Sequence, residues 1–82
     1  MTTIQILGTG CKKCAQLQQS AEQAIAESGI AATVEKIEDI NRIVEFGVMM
    51  TPALVINGKV RLVGKVASPE EIKRWIRESL AQ

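Results

Sequence analysis

Asn57-Gly58, within the stretch ALVINGKVRLV at residues 53–63, constrains the fold more tightly than any other pair in this chain. Both central positions of a type I′ turn need positive φ, which glycine adopts freely and asparagine tolerates. The flanking runs, Ala53 to Ile56 and Val60 to Val63, are rich in aliphatic strand formers. They therefore read as two antiparallel strands joined by a tight hairpin.

The residues upstream alternate between two periodicities. Thr3 to Leu7 is short, rich in β-branched residues and punctuated by Gly8 and Gly10, which predicts a strand. From Lys12 to about Ser28 the spacing is helical, with Cys14, Leu17, Ala21, Ala24 and Ile25 on one face and Gly29 as a stop. Ala32 to Ile37 is a second strand, parallel to the first because a full helix separates them. Asp39 can cap a shorter helix with Ile40, Ile43 and Val44 as its apolar stripe, ending at Gly47. After the hairpin, Ser68 as N-cap, Pro69 at the first helical position and Glu71 form a capping box. Ile72, Trp75, Ile76 and Leu80 are the expected buried face of that last helix.

The order β-α-β-α-β-β-α predicts an α/β fold. One mixed four-stranded sheet, in the order second, first, third, fourth strand, would carry helices on its faces. The 82 residues suit one domain spanning 1–82, folding with little stability to spare. Only one Phe, one Trp and no Tyr stand among 46% apolar residues, so the core should be aliphatic.

Ten basic residues against nine acidic ones give a net charge of +1 and no electrostatic case for nucleic acid. Nor do so few aromatics build a stacking platform for single strands. The start, MTTIQILGTG, has no basic segment followed by a long apolar one, and no stretch reaches the length of a membrane span. A soluble cytoplasmic protein is expected. Disulfides in that compartment are usually transient and catalytic.

That expectation bears on GTGCKKCAQL, residues 8–17, which holds the only two cysteines. A helix starting near Cys11 would aim its free N–H groups and positive dipole end at that sulfur, favouring the thiolate. Cys14, one turn further in, falls on the apolar face. The asymmetry assigns Cys11 as nucleophile toward a partner's disulfide and Cys14 as the thiol that resolves the mixed disulfide. Lys12 and Lys13 oppose the helix dipole, so helix stability alone would not select them. They would stabilise a thiolate, attract an acidic partner, or stand as solvated lysines. Two further readings of the cysteines stay open. Buried free cysteine is common, which suits Cys14 but not Cys11. Two thiolates also chelate zinc or Cu(I), as in a metallochaperone module, although a structural zinc site wants four ligands. The chain has no His and no further Cys.

A C-x-x-C after the first strand, Thr51-Pro52 before the hairpin, the NGKV turn, a glycine after the last strand and an amphipathic final helix together resemble the thioredoxin superfamily. The likeness is to its small bacterial and archaeal thioredoxin-like or glutaredoxin-like members, and runs from Thr3 to about Leu80. It implies a dithiol–disulfide oxidoreductase whose redox-active disulfide is Cys11–Cys14, with no prosthetic group and no metal. It also implies a cis bond before Pro52, main-chain contacts from Thr51 to an extended substrate segment, and Gly64 flanking the same groove with room for the substrate backbone. Met49 and Met50 could line that groove, with core packing expected for at least one of them. Implied partners are disulfide-bearing proteins and an upstream reductant such as a thioredoxin reductase, and a monomer is expected. Departures from the family pattern are plain. Lys12-Lys13 replaces Gly-Pro, Gly10 stands where a Trp precedes the motif, and Gln5 takes the place of a buried Asp in the first strand. VGKVASPEE lacks the residues of a glutathione clamp, and Trp75 is expected to pack.

Overall fold

A computed structural model describes residues 2–10 and 12–80. Its elements are β1 (Thr2–Leu7), α1 (Lys12–Ser28), β2 (Ala32–Ile37), α2 (Ile40–Glu45), β3 (Ala53–Ile56), β4 (Lys59–Val63) and α3 (Pro69–Leu80). The sheet runs β2-β1-β3-β4, as the element order predicts. β1 and β2 are parallel, and β3 is antiparallel to both β1 and β4. A register shift opposite Leu54 and Val55 leaves Arg61 as an extra residue in β4, which adds local twist.

The hairpin turn has φ of 50° at Asn57 and 82° at Gly58, the two positive values the dipeptide predicts. Asn57 does more than turn the chain. Its Oδ1 accepts from the Thr3 N–H at 2.9 Å, its own N–H donates to the Thr3 carbonyl at 2.9 Å, and its Nδ2 donates to Ser79 Oγ at 2.7 Å. One side chain thus ties the turn to both β1 and α3.

Alternation along β1 sends Ile4 and Ile6 to one face of the sheet and Leu7 to the other. On the first face Ile4, Ile6, Leu54 and Ile56 meet Leu17 and Ala21 of α1 and Ile72 and Ile76 of α3. On the second, Leu7, Ile37 and Val55 meet Ile43 of α2 and Val48. β3, covered on both sides, is buried at all four residues, which explains its unbroken apolar run.

Asp39 caps α2 through an Oδ1 that accepts from the Asn41 N–H at 2.9 Å. At α3, Ser68 Oγ accepts from the Glu71 N–H at 3.3 Å, but the Glu71 carboxylate takes the Ser68 hydroxyl at 3.4 Å rather than closing the box on the backbone. Among the described residues no helix is long and apolar enough to cross a membrane.

Three expectations about burial need correction. Leu80 is 56% exposed, because the last turn of α3 runs past the core that Ile72 and Ile76 fill, while Trp75 packs half-buried at its margin. Ile40 and Val44 are 64% and 60% exposed. A six-residue helix turns less than twice, so only Ile43 of the stripe reaches the sheet. Met49 and Met50 are both exposed, and neither packs in the core.

Candidate active site

The parallel β1–β2 ladder continues one step beyond β1, where the Gly8 N–H donates to the Ile37 carbonyl at 3.0 Å. Gly8 is therefore buried at the strand's end, and Thr9 and Gly10, both exposed, follow it. Cys14 faces inward in the first turn of α1 and is 4% exposed, as its place on the apolar stripe predicts. It is disulfide-bonded in the structure. Cys11 lies outside the described residues. Lys12 and Lys13 open α1, both exposed, in a first turn that holds no acidic residue.

Next to it, from the strand that pairs with β1, comes the segment before β3. The Thr51–Pro52 peptide bond is cis, Pro52 is buried and Thr51 is exposed. The Gly64 N–H, just beyond β4, donates to the Pro52 carbonyl at 2.7 Å and holds this loop against the hairpin's far end. Thr51, Pro52 and Gly64 thus sit together. The open space expected at Gly64 is absent, however. A Cβ built there would meet Met50 Cε at 3.2 Å, so the Met50 side chain lies across the glycine.

Gly8 joins the two halves. A Cβ built on it would collide with Cys14 Sγ and lie 3.8 Å from Thr51 Cβ, so Cys14 and Thr51 both border the space beside one glycine. Sequence reading treats Gly8 as turn punctuation and misses this juxtaposition, which nothing local announces.

Two other features escape sequence reading. An apolar groove of about 320 Å³ opens beside the site, walled by Thr9, Val48 and Thr51 and by Ile40, Val44 and Met49, the apolar residues α2 and its following loop leave exposed. The Glu38 carboxylate, just past β2, lies 3.9 Å from the position of a Cβ on Gly10. It is an acid beside the loop that enters the cysteine motif. Gln5, where an acid would stand in the family pattern, sits in β1 between Glu35 and Val55.

The family model described as thioredoxin domain matches residues 2–77 of this sequence. The chain belongs to the thioredoxin family. It is a small member of that family, and a thiol–disulfide oxidoreductase. It is 45% identical over 74 residues to a thioredoxin of Methanothermobacter thermautotrophicus, covering 90% of this chain and 96% of the relative. A thioredoxin of Methanocaldococcus jannaschii is 39% identical over 80 residues, covering 98% of this chain and 92% of the relative. The mixed four-stranded sheet is the thioredoxin arrangement, with Cys14 in the first turn of α1 and Thr51 both beside Gly8 at the end of β1.

Proposed function

We propose that Cys11 and Cys14 are the working couple, with Cys11 attacking a disulfide in a protein substrate and Cys14 resolving the mixed disulfide. The observation that carries this is the burial of Cys14 against Gly8 beside Thr51 and the cis Pro52. The second sulfur is shielded and lies at the glycine that Thr51, in the segment that would bind an extended peptide, also borders. A solvent-reached thiolate at the first cysteine and a shielded second thiol is the division of labour disulfide exchange requires.

In the forward reaction the Cys11 thiolate attacks one substrate sulfur, and the other leaves as a thiolate that takes up a proton. The Cys14 thiolate then attacks the Cys11 sulfur and releases the second substrate thiol. The protein ends as the Cys11–Cys14 disulfide, and the substrate has gained two electrons. An upstream dithiol donor, such as a thioredoxin reductase, must restore the reduced protein. No prosthetic group enters the scheme. Thr51 offers main-chain hydrogen bonds to the substrate segment, with Pro52 and Gly64 holding that loop in place. The apolar groove at Ile40, Val44 and Met49 takes a side chain flanking the substrate cysteine. Lys12 and Lys13 lower the cost of the Cys11 thiolate. A cytoplasmic setting, where such couples work reductively, fits the scheme.

Equilibration of metal-free protein in thiol–disulfide buffers, with alkylation and mass counting of free thiols, tests the couple. A reversible two-electron transition is expected. Cys14→Ser should accumulate mixed disulfides through Cys11, and Cys11→Ser should be inactive. If no reversible intramolecular disulfide forms, the couple is wrong, and zinc and copper titrations would then test metal binding by the same thiolates.

A further inference from the structure

The chain has six glycines, and five of them adopt positive φ. Gly8 is the exception. Its backbone lies where any residue can sit, so conformation does not explain a glycine there. Space does. The Cβ of any other residue would stand 3.4 Å from Cys14 Cβ and 3.8 Å from Thr51 Cβ, and would overlap Cys14 Sγ.

Resting on the role given above to Cys14, we propose that Gly8 is a positioning residue for the resolving sulfur. The missing Cβ leaves a notch at the end of β1 into which Sγ of Cys14 fits, beside the segment that receives the substrate main chain.

Neither side of the notch can yield easily. Gly8 is fixed by its hydrogen bond to the Ile37 carbonyl. Cys14 has one rotatable bond between backbone and sulfur, and its helix is anchored one turn on by Leu17 and then by Ala21, both fully buried. A methyl group in the notch must rotate the sulfur away or lift the first turn of α1. Both responses displace the resolving sulfur.

Resolution is sensitive to that displacement. The Cys14 thiolate must approach the Cys11 sulfur in line with the bond being broken. That bond's electron pair leaves on the departing thiol, which is thereby reduced, while Cys11 and Cys14 become the disulfide. Misplacing a reacting atom by about 1 Å costs up to roughly 100-fold in rate. The first attack uses the Cys11 sulfur alone and does not need the notch.

A single stopped-flow experiment separates the two steps. Reduced protein mixed with less than one equivalent of the aromatic disulfide of 2-nitro-5-thiobenzoate releases one coloured thiol on attack by Cys11 and a second on resolution by Cys14. Gly8→Ala is expected to slow the second phase by about 10- to 100-fold and to leave the first near its wild-type rate. A second phase at the wild-type rate, or both phases slowed alike, overturns the proposal. A second phase that persists in Cys14→Ser would instead refute the role of Cys14. The notch is then read by stability. Gly8→Ala should lower the urea midpoint of reduced protein much more with Cys14 present than in a Cys14→Ala background, where the sulfur is gone. Equal losses in the two backgrounds overturn the notch itself, and this comparison also decides the matter if Gly8→Ala alone does not fold.

Discussion

Pro52 and Gly64 are joined by a 2.7 Å hydrogen bond from the Gly64 N–H to the Pro52 carbonyl. The bond closes the open end of the β3–β4 hairpin, opposite the Asn57-Gly58 turn. It sets the cis-proline loop against the residue following β4. The backbone of Gly64 has φ of 72°, and Met50 lies over its Cα.

Gly64→Ala should therefore destabilise the protein by about 1–2 kcal/mol, the cost of a left-handed conformation for a residue with a Cβ. The methionine tip adds less, since Cε ends a flexible side chain and can move. Urea unfolding of Gly64→Ala alone and with Met50→Ala measures both terms. A loss fully recovered by Met50→Ala would show that crowding, and not backbone conformation, sets the cost.

Asn57→Gly keeps the turn's backbone freedom and removes the side-chain bonds to Thr3 and Ser79. Each net hydrogen bond contributes about 0.5–1.5 kcal/mol, so a loss of roughly 1–3 kcal/mol is expected. Gly at this position is otherwise well suited to a type I′ turn. A denaturation midpoint unchanged from wild type would mean that φ is the only reason for asparagine here.

Val44→Asp places a charge in the wall of the groove, at a side chain that is already exposed. Stability should change by less than about 0.5 kcal/mol, as for surface substitutions generally. For a protein disulfide flanked by aliphatic residues, KM should rise several-fold with kcat retained. Steady-state insulin-type turbidity or fluorescent-disulfide assays would read this. Unchanged KM would remove the groove from substrate binding.

Charges of opposite sign stand at the motif, Lys12 and Lys13 within it at the start of α1 and Glu38 beside Gly10 ahead of it. Replacing both lysines with glutamate should move the alkylation profile of Cys11 to higher pH, and Glu38→Gln should move it to lower pH. Iodoacetamide rates against pH, measured in a Cys14→Ser background, check both. Profiles that coincide with the parent's would make these charges bystanders to the thiolate.

Glu27 accepts from Lys73 Nζ at 2.7 Å and from Gln23 Nε2 at 2.8 Å, linking α1 to α3. The hydrogen bond from Lys73, then that from Gln23, then the attraction of the Lys73 charge hold its carboxyl below the usual glutamate value. A carboxyl lowered in the folded state stabilises it above the unfolded value, and that contribution vanishes as pH falls through the folded value. Wild type should therefore be more stable than Glu27→Gln at neutral pH, by a small margin at an exposed site. The two should converge in acid once pH has fallen below that lowered folded-state value. Urea midpoints across that range decide it, and a difference that persists in acid would assign the effect to packing.

What was legible in the sequence is local. Asn57-Gly58, the helical spacing from Lys12 to Ser28, the Ser68-Pro69-Glu71 start and the β-branched runs each act through bonds and contacts within a few residues. Together they determined the elements and, since parallel strands need a crossover, the parallel pairing of the first two strands. The inward face of Cys14 followed from the same periodicity. Contacts between distant segments were not legible, because no local propensity encodes which side chain a neighbouring element leaves room for. Only the tertiary structure decided that Gly8 is a notch for Cys14 beside Thr51, that Met50 covers Gly64, and that Glu38 stands by Gly10. It also decided that Ile40, Val44 and Met49 face outward as a groove, since an apolar residue is buried only where a sheet or helix reaches it. Sequence alone supplied the two cysteines, at 11 and 14, and packing decided where Cys14 and its neighbours stand.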